Sequence, residues 1–237
     1  YLPIIIGIVF LIIFATRQLK LDEPMLDLRV FKSTVFTFAT IIVMIAYSSL
    51  ISSELIIPMY LENVKGLSAF RTGLVLMPGA IVMGIMNPIT GTLFDKYGAR
   101  TLAITGLIIL ALGTFGLSRL TIETSQMYVI VVYAIRMFGI SMLMMPLTTS
   151  GLNSLHRQLY SHGNAIINTL RQVAGSIGTS MIVTLMSKAS ASSGYTNPLE
   201  ASVYGMNVSF ASVGVLTVVG IILAFFTVKK KEIKIKD

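Results

Sequence analysis

Residues 91–101, Gly-Thr-Leu-Phe-Asp-Lys-Tyr-Gly-Ala-Arg-Thr, form a short charged stretch between two long apolar runs. An interruption that brief joins two membrane-spanning helices as a tight hairpin. Asp95 follows Gly91 by four residues, so the two share one face of the helix that enters the turn. Gly91 offers no side chain there and permits close approach of another helix. Asp95 puts a carboxylate at the membrane surface, and Gly98 supplies the permissive backbone of a sharp reversal. Lys96 and Arg100 can pair with that carboxylate or with lipid headgroups, and the positive end of a neighbouring helix is another partner for Asp95. Such a contact can close in one conformation and open in another. A plain charged loop anchor would use the same residues.

Composition sets the class around this turn. Of 237 residues 54% are apolar and 12% charged, and the mean hydropathy is +0.83. A soluble domain carries roughly twice that charged fraction. Apolar runs at 34–58, 73–94, 101–118, 127–150, 164–186 and 206–228 approach or exceed the length that crosses a bilayer. Backbone in hydrocarbon must satisfy its own hydrogen bonds, so these runs predict an all-α, polytopic membrane helical bundle. Residues 1–14 are apolar but too short to span, which predicts a truncated helix, followed by a linker over 15–33 and a basic tail over 229–237. Prolines 78 and 88 are expected to kink the second complete span. There is no cysteine, so disulfide and thiolate-metal chemistry are excluded. His156 and His162 have no acidic ligands nearby in sequence, and no metal site is expected.

The net charge of +8 points to topology rather than to nucleic acid. Twelve of the Lys and Arg residues fall on one side of the predicted spans (in 15–33, 95–100, 151–163 and the tail), four fall on the other, and Arg136 and Arg171 lie inside spans. Short cytoplasmic loops retain lysine and arginine. The Gly91–Thr101 turn and the C-terminus are therefore expected on the cytoplasmic side, with the lipid bilayer as the first partner and anionic headgroups within reach of the tail.

Taken together, Gly91, Asp95, Lys96, Gly98 and Arg100 resemble the signature loop motif of the major facilitator superfamily, G-x-x-x-D-[RK]-x-G-x-[RK], which joins the second and third helices of a six-helix half. The segments MPGAIVMGIMNPITGTLFDKYGAR, YAIRMFGISMLMMP and HGNAIINTLRQVAGSIGTS resemble successive parts of the fourteen-span drug:proton antiporters, the lincomycin-type exporters in particular. The resemblance covers nearly the whole chain. It implies that 34–228 is a six-helix C-terminal half, built as two inverted three-helix repeats (34–118 and 127–228) and preceded by one truncated helix. It further implies a bacterial plasma membrane, a missing N-terminal half of the same polypeptide, a hydrophobic or cationic small-molecule substrate, and a proton gradient in place of any bound cofactor. No phosphate-binding loop pattern occurs, so ATP is not the expected energy source, and no nucleophile with an adjacent base suggests an enzyme. A non-transporting scaffold or sensor, or a half-size transporter that homodimerises, would share this pattern.

Four positions inside the spans carry the remaining chemistry. Arg136 is expensive in an apolar span and must face protein or water. With Gly139 it gives R-x-x-G where the family more often has R-x-x-x-G, and it is a candidate for coupling or gating, with Asp95 as one possible contact. Arg171 shares a helix face with Asn164, Asn168, Gly175 and Gly178, at spacings of three and four. That stripe suits a helix lining an inner vestibule, unless Arg171 snorkels to the interface. Glu54 is the acidic residue clearly within a span, with Tyr47 two turns away on the same face. It is a candidate to hold a proton or a cation, or else a solvated mouth residue. The methionine clusters at 77–86 and 137–145 fit either a promiscuous cavity or core filling.

Overall fold

A computed structural model describes residues 2–18, 21, 24 and 26–227. Its elements are α1 (Leu2–Gln18), a 3-10 turn (Leu28–Lys32), α2 (Thr34–Met59) continued by a π turn (Tyr60–Val64), α3 (Ala69–Leu117), α4 (Gln126–Asn153), a 3-10 turn (Arg157–Leu159), α5 (Tyr160–Ala191) and α6 (Pro198–Thr227). The described residues contain no strand. Among the described residues, four helices have the length and apolar content of membrane spans: α2 with its π turn, α3, α4 and α6. The α5 helix is as long but more polar. The tail 229–237 and Lys20 lie outside the described residues.

Serine starts three of these helices. The side chains of Ser33, Ser68 and Ser125 accept hydrogen bonds from the amides of Phe36, Arg71 and Tyr128, each satisfying one of the free N–H groups at a helix start. The last helix begins at Pro198, earlier than the apolar run at 206, because Asn197 accepts from the Leu199 amide at 3.0 Å and Glu200 complements the positive end of the first turn. Hydropathy marks where lipid begins, and capping marks where the helix begins.

The 49 residues of α3 would measure about 74 Å if straight, more than twice the hydrocarbon thickness. It does not run straight. Helical backbone continues through Pro78 and Pro88, and the break falls on Gly98, at φ 76° and ψ 165°. Packing against α4 shows the direction change. In the first limb Gly79 lies against Tyr133 and Met137, and Gly91 against Met145, so residue numbers rise together. In the second limb Gly106 lies against Gly139 and Leu143, Gly113 against Arg136, and Gly116 against Val132, so they run oppositely. The two limbs are therefore antiparallel, as the 91–101 stretch predicted, and both lie on α4.

The second limb touches α4 backbone to backbone. A Cβ at Gly139 would sit 2.6 Å from the Leu110 nitrogen and 2.8 Å from the Gly106 oxygen, closer than any side chain tolerates. Gly91 differs from expectation: a Cβ there would meet only Met145, at 3.5 Å, which is ordinary contact. The core runs between α2, the second limb of α3, α4 and α6, through Phe36, Ile42, Leu107, Leu110, Ile140, Leu143 and Phe210. At the far end from Gly98, the side chain of Asn207 on α6 accepts from the Leu120 amide (3.0 Å) and donates to its carbonyl (2.7 Å). Tyr60 donates to the Thr121 carbonyl at 2.7 Å.

Candidate functional site

Arg136 is completely buried, and it has the largest fully buried side chain of the described residues. Its position on α4 places it opposite Gly113, whose missing side chain lets the second limb of α3 lie directly on the Arg136 backbone. From there the guanidinium reaches two other elements. Nε donates to Thr114 Oγ1 at 3.1 Å on α3, Nη1 donates to Ser53 Oγ on α2, and Nη2 donates to the Ser49 carbonyl and, at 2.7 Å, to Ser49 Oγ. The acceptors are ready for it. Ser53 and Thr114 spend their own protons on the carbonyls of Leu50 (2.8 Å) and Leu110 (2.7 Å), so each turns lone pairs toward the arginine. A buried charge costs several kcal/mol unless it is hydrogen-bonded, and here hydroxyls and a carbonyl do that task without a bonded carboxylate.

Glu54 follows Ser53 about 100° further round α2, exposed and without a hydrogen bond or ion pair to any described residue. Arg136 and Tyr133 are within electrostatic reach of it. The result is a layer with a fixed positive charge inside and an accessible carboxylate at its edge. Two helical turns away, Tyr47 contacts α5: the Arg171 guanidinium lies 4.8 Å from its ring centroid, and its hydroxyl donates to Gln172 Oε1 at 3.3 Å. Arg171 therefore stacks against a ring of the facing helix, and its Nε is buried without a hydrogen-bond partner among the described residues. Gly175 and Gly178 admit Tyr47 and Ser48 of α2, and Ser48 donates to the Ala174 carbonyl at 2.7 Å. A cavity of about 390 Å³ opens beside them, lined by Tyr47, Ile51, Gln172, Ser176 and Thr179. Asn168 stands outside this group. It is exposed and donates only to Asn164, at 3.4 Å, on its own helix.

The hairpin is a separate region. Arg100 Nη2 donates to the Phe225 carbonyl at 2.7 Å, and its guanidinium lies 5.1 Å from the Phe225 ring centroid. It thereby holds the C-terminal end of α6, where free carbonyls and the negative end of the helix dipole favour a cation. Lys96 lies 5.3 Å from the Tyr97 ring centroid. Asp95 is exposed and pairs with neither of them among the described residues. Nor does Asp95 reach Arg136, which sits opposite Gly113, about 22 Å of helix beyond Gly98 by helical rise. Of the alternatives open to these residues, pairing of Asp95 with Lys96, Arg100 or Arg136 does not occur among the described residues of this conformation, where Arg100 holds α6 and Arg136 the serines.

The arrangement brings Tyr47 together with Arg171 and sets Glu54 within electrostatic reach of Arg136 without contact. Ser49, Ser53, Thr114, Tyr133 and Gln172 were not anticipated. The signal for Ser49 and Ser53 was the run Ser48, Ser49, Ser52, Ser53 in an otherwise apolar span, a polar stripe of helical period aimed at a neighbour.

The sequence pattern of the Major Facilitator Superfamily matches residues 2–179. The chain is 45% identical over 231 residues to the uncharacterised MFS-type transporter YcnB of Bacillus subtilis, covering 98% of this chain and 49% of that protein. It is 40% identical over 236 residues to the lincomycin resistance protein LmrB of the same organism, covering 96% and 49%. With the multidrug export protein EmrB of Escherichia coli it shares 31% identity over 183 residues, covering 76% and 35%. The chain spans about half the length of YcnB and LmrB.

Proposed function

The chain belongs to the Major Facilitator Superfamily, and from that premise we propose that it is the C-terminal half of a proton-coupled exporter of hydrophobic or cationic small molecules, working by alternating access. The observation that carries the reading is Arg136: a fully buried charge that ties α2, the second limb of α3 and α4 together, with the accessible carboxylate of Glu54 at its edge. On this reading the two limbs of α3 count as two crossings, so that α2 to α6 make six. These form inverted repeats over 34–118 and 127–228, and the Gly98 end is cytoplasmic. The faces bearing Glu54, Tyr47 and the 390 Å³ cavity look toward an N-terminal half, and relatives about twice as long as this chain support that. The relatives named for lincomycin resistance and multidrug export support the substrate class.

In mechanism, Glu54 takes up either a proton or a cationic substrate group; one carboxylate holds one of them at a time, so substrate cation and proton compete for one site. Arg100 and Asp95 act at the other end, where Arg100 holds the end of α6 in this conformation and Asp95 stands free for the alternative one. The test uses full-length protein in inverted membrane vesicles energised by respiration, with ethidium uptake as readout. Uptake is expected to stop on adding a proton ionophore and to be lost in Glu54→Gln. Uptake that survives collapse of the gradient refutes proton coupling. Absence of any gradient-driven movement across a panel of dyes would favour a scaffold or sensor.

A further inference from the structure

We propose that the end of the bundle opposite Gly98 carries a binding site for an organic cation, a protonated or quaternary amine with apolar substituents, between the 118–125 loop and the start of α6. A cavity of about 400 Å³ opens there, lined by Glu123, Tyr195, Glu200, Val203, Tyr204 and Asn207 among others, and no lysine or arginine lines it. In a chain of net charge +8, a cavity with two carboxylates and no cation is a local reversal of sign. Glu123 and Glu200 make no hydrogen bond or ion pair with any described residue. Of the nearby cations, Lys65 is used on the Ile122 carbonyl, and Arg119 pairs with neither glutamate.

The aromatic wall selects the ligand. Tyr195 and Tyr204 have ring centroids 5.9 Å apart and planes inclined at 54°, and they are 51% and 41% exposed. They form an open corner whose ring faces attract a cation with a greasy shell. A hard divalent ion would instead need six or more oxygen ligands, and no group of three acidic or histidine side chains suited to a metal occurs among the described residues.

The floor of the cavity is preorganised. Asn207 holds Leu120 by both its amide and its carbonyl, Tyr60 holds Thr121, and the Thr121 amide donates to Thr124 Oγ1 at 2.8 Å. The loop bearing Glu123 is thus tied to α2 and α6 before any ligand arrives, which lowers the ordering cost of binding. This site is distinct from the Glu54 layer and does not depend on the transport reading.

The test is equilibrium dialysis of radiolabelled benzyltrimethylammonium against the full-length protein, in wild-type and Glu54→Gln backgrounds. Saturable binding is expected in both. Choline should compete, whereas its neutral isostere 3,3-dimethyl-1-butanol should not. Glu123→Gln, Glu200→Gln and Tyr204→Leu should each weaken binding by about fivefold or more, while Tyr204→Phe retains it and reports an intact fold. The proposal is overturned if no saturable binding is seen, if binding is lost in Glu54→Gln alone, if the neutral isostere competes equally, or if calcium displaces the probe while Glu123→Gln, Glu200→Gln and Tyr204→Leu leave it bound.

Discussion

The Gly98 hairpin and the Arg136 layer both use arginine, and they use it in opposite ways. At the hairpin Arg100 lies at the edge of the bundle, pairs with one carbonyl and one ring, and has other charged residues around it. In the layer a single arginine, wholly buried, takes four acceptor contacts from two other helical segments. The first arrangement is cheap because water and headgroups remain available. The second stands only because Ser49, Ser53 and Thr114 replace the water that Arg136 gave up. Charge density therefore says little about how firmly the fold commits a charge, and desolvation says more.

The largest test of that contrast is Arg136→Met. Ethidium uptake should fall to the level of vesicles lacking the protein. Thermal stability in detergent should change by no more than about 2 kcal/mol, since Ser53 and Thr114 keep the bonds to their own helices. Uptake at the wild-type rate would remove the layer from the mechanism. Next comes Gly139→Val. Its side chain would meet the Leu110 and Gly106 backbones, and forcing α3 from α4 should cost about 3 kcal/mol or more, read as lost expression or a collapsed gel-filtration peak.

At the hairpin the effects should be smaller. Gly98→Ala forces a side chain into a backbone region that is essentially glycine's alone, at about 1–3 kcal/mol, measurable as a lowered Tm. Arg100→Ala releases the end of α6 and should cost about 0.3–1 kcal/mol, less at high salt; hydrogen exchange at residues 221–227 would show it as faster fraying. Gly91→Ala should be within about 0.5 kcal/mol of wild type, because the new methyl makes ordinary contact with Met145. A large loss there would mean that another conformation brings a helix closer to Gly91 than this one does.

Much of the fold was legible along the chain. The reversal between 94 and 101 followed from a glycine and four polar residues set between apolar runs, and the chain turns at Gly98. Helix ends were less legible: α5 and α6 extend past their apolar runs because caps and interfacial polar residues prolong a helix beyond the hydrocarbon. In α3, Pro78 and Pro88 stay within helical backbone, and the missing amide bond of a proline need not break a helix whose neighbours hold it in place; the break falls on Gly98. Of the site, Arg136 and Glu54 stood out as ionisable groups in apolar sequence. Their partners did not, because a serine in a span reads as a tolerated small residue until the facing helix is known.

Composition and hydropathic period alone determined the membrane, the helices and the tight turn, since hydrocarbon leaves the backbone no alternative to helix and the turn chemistry is local. Tertiary structure alone decided which charges are paired. Arg136 meets Ser49, Ser53 and Thr114 across 87, 83 and 22 residues of sequence, and Arg100 meets Phe225 across 125. Those encounters depend on how closely helices pack at Gly106, Gly113 and Gly139, a property of two surfaces together that neither surface carries by itself.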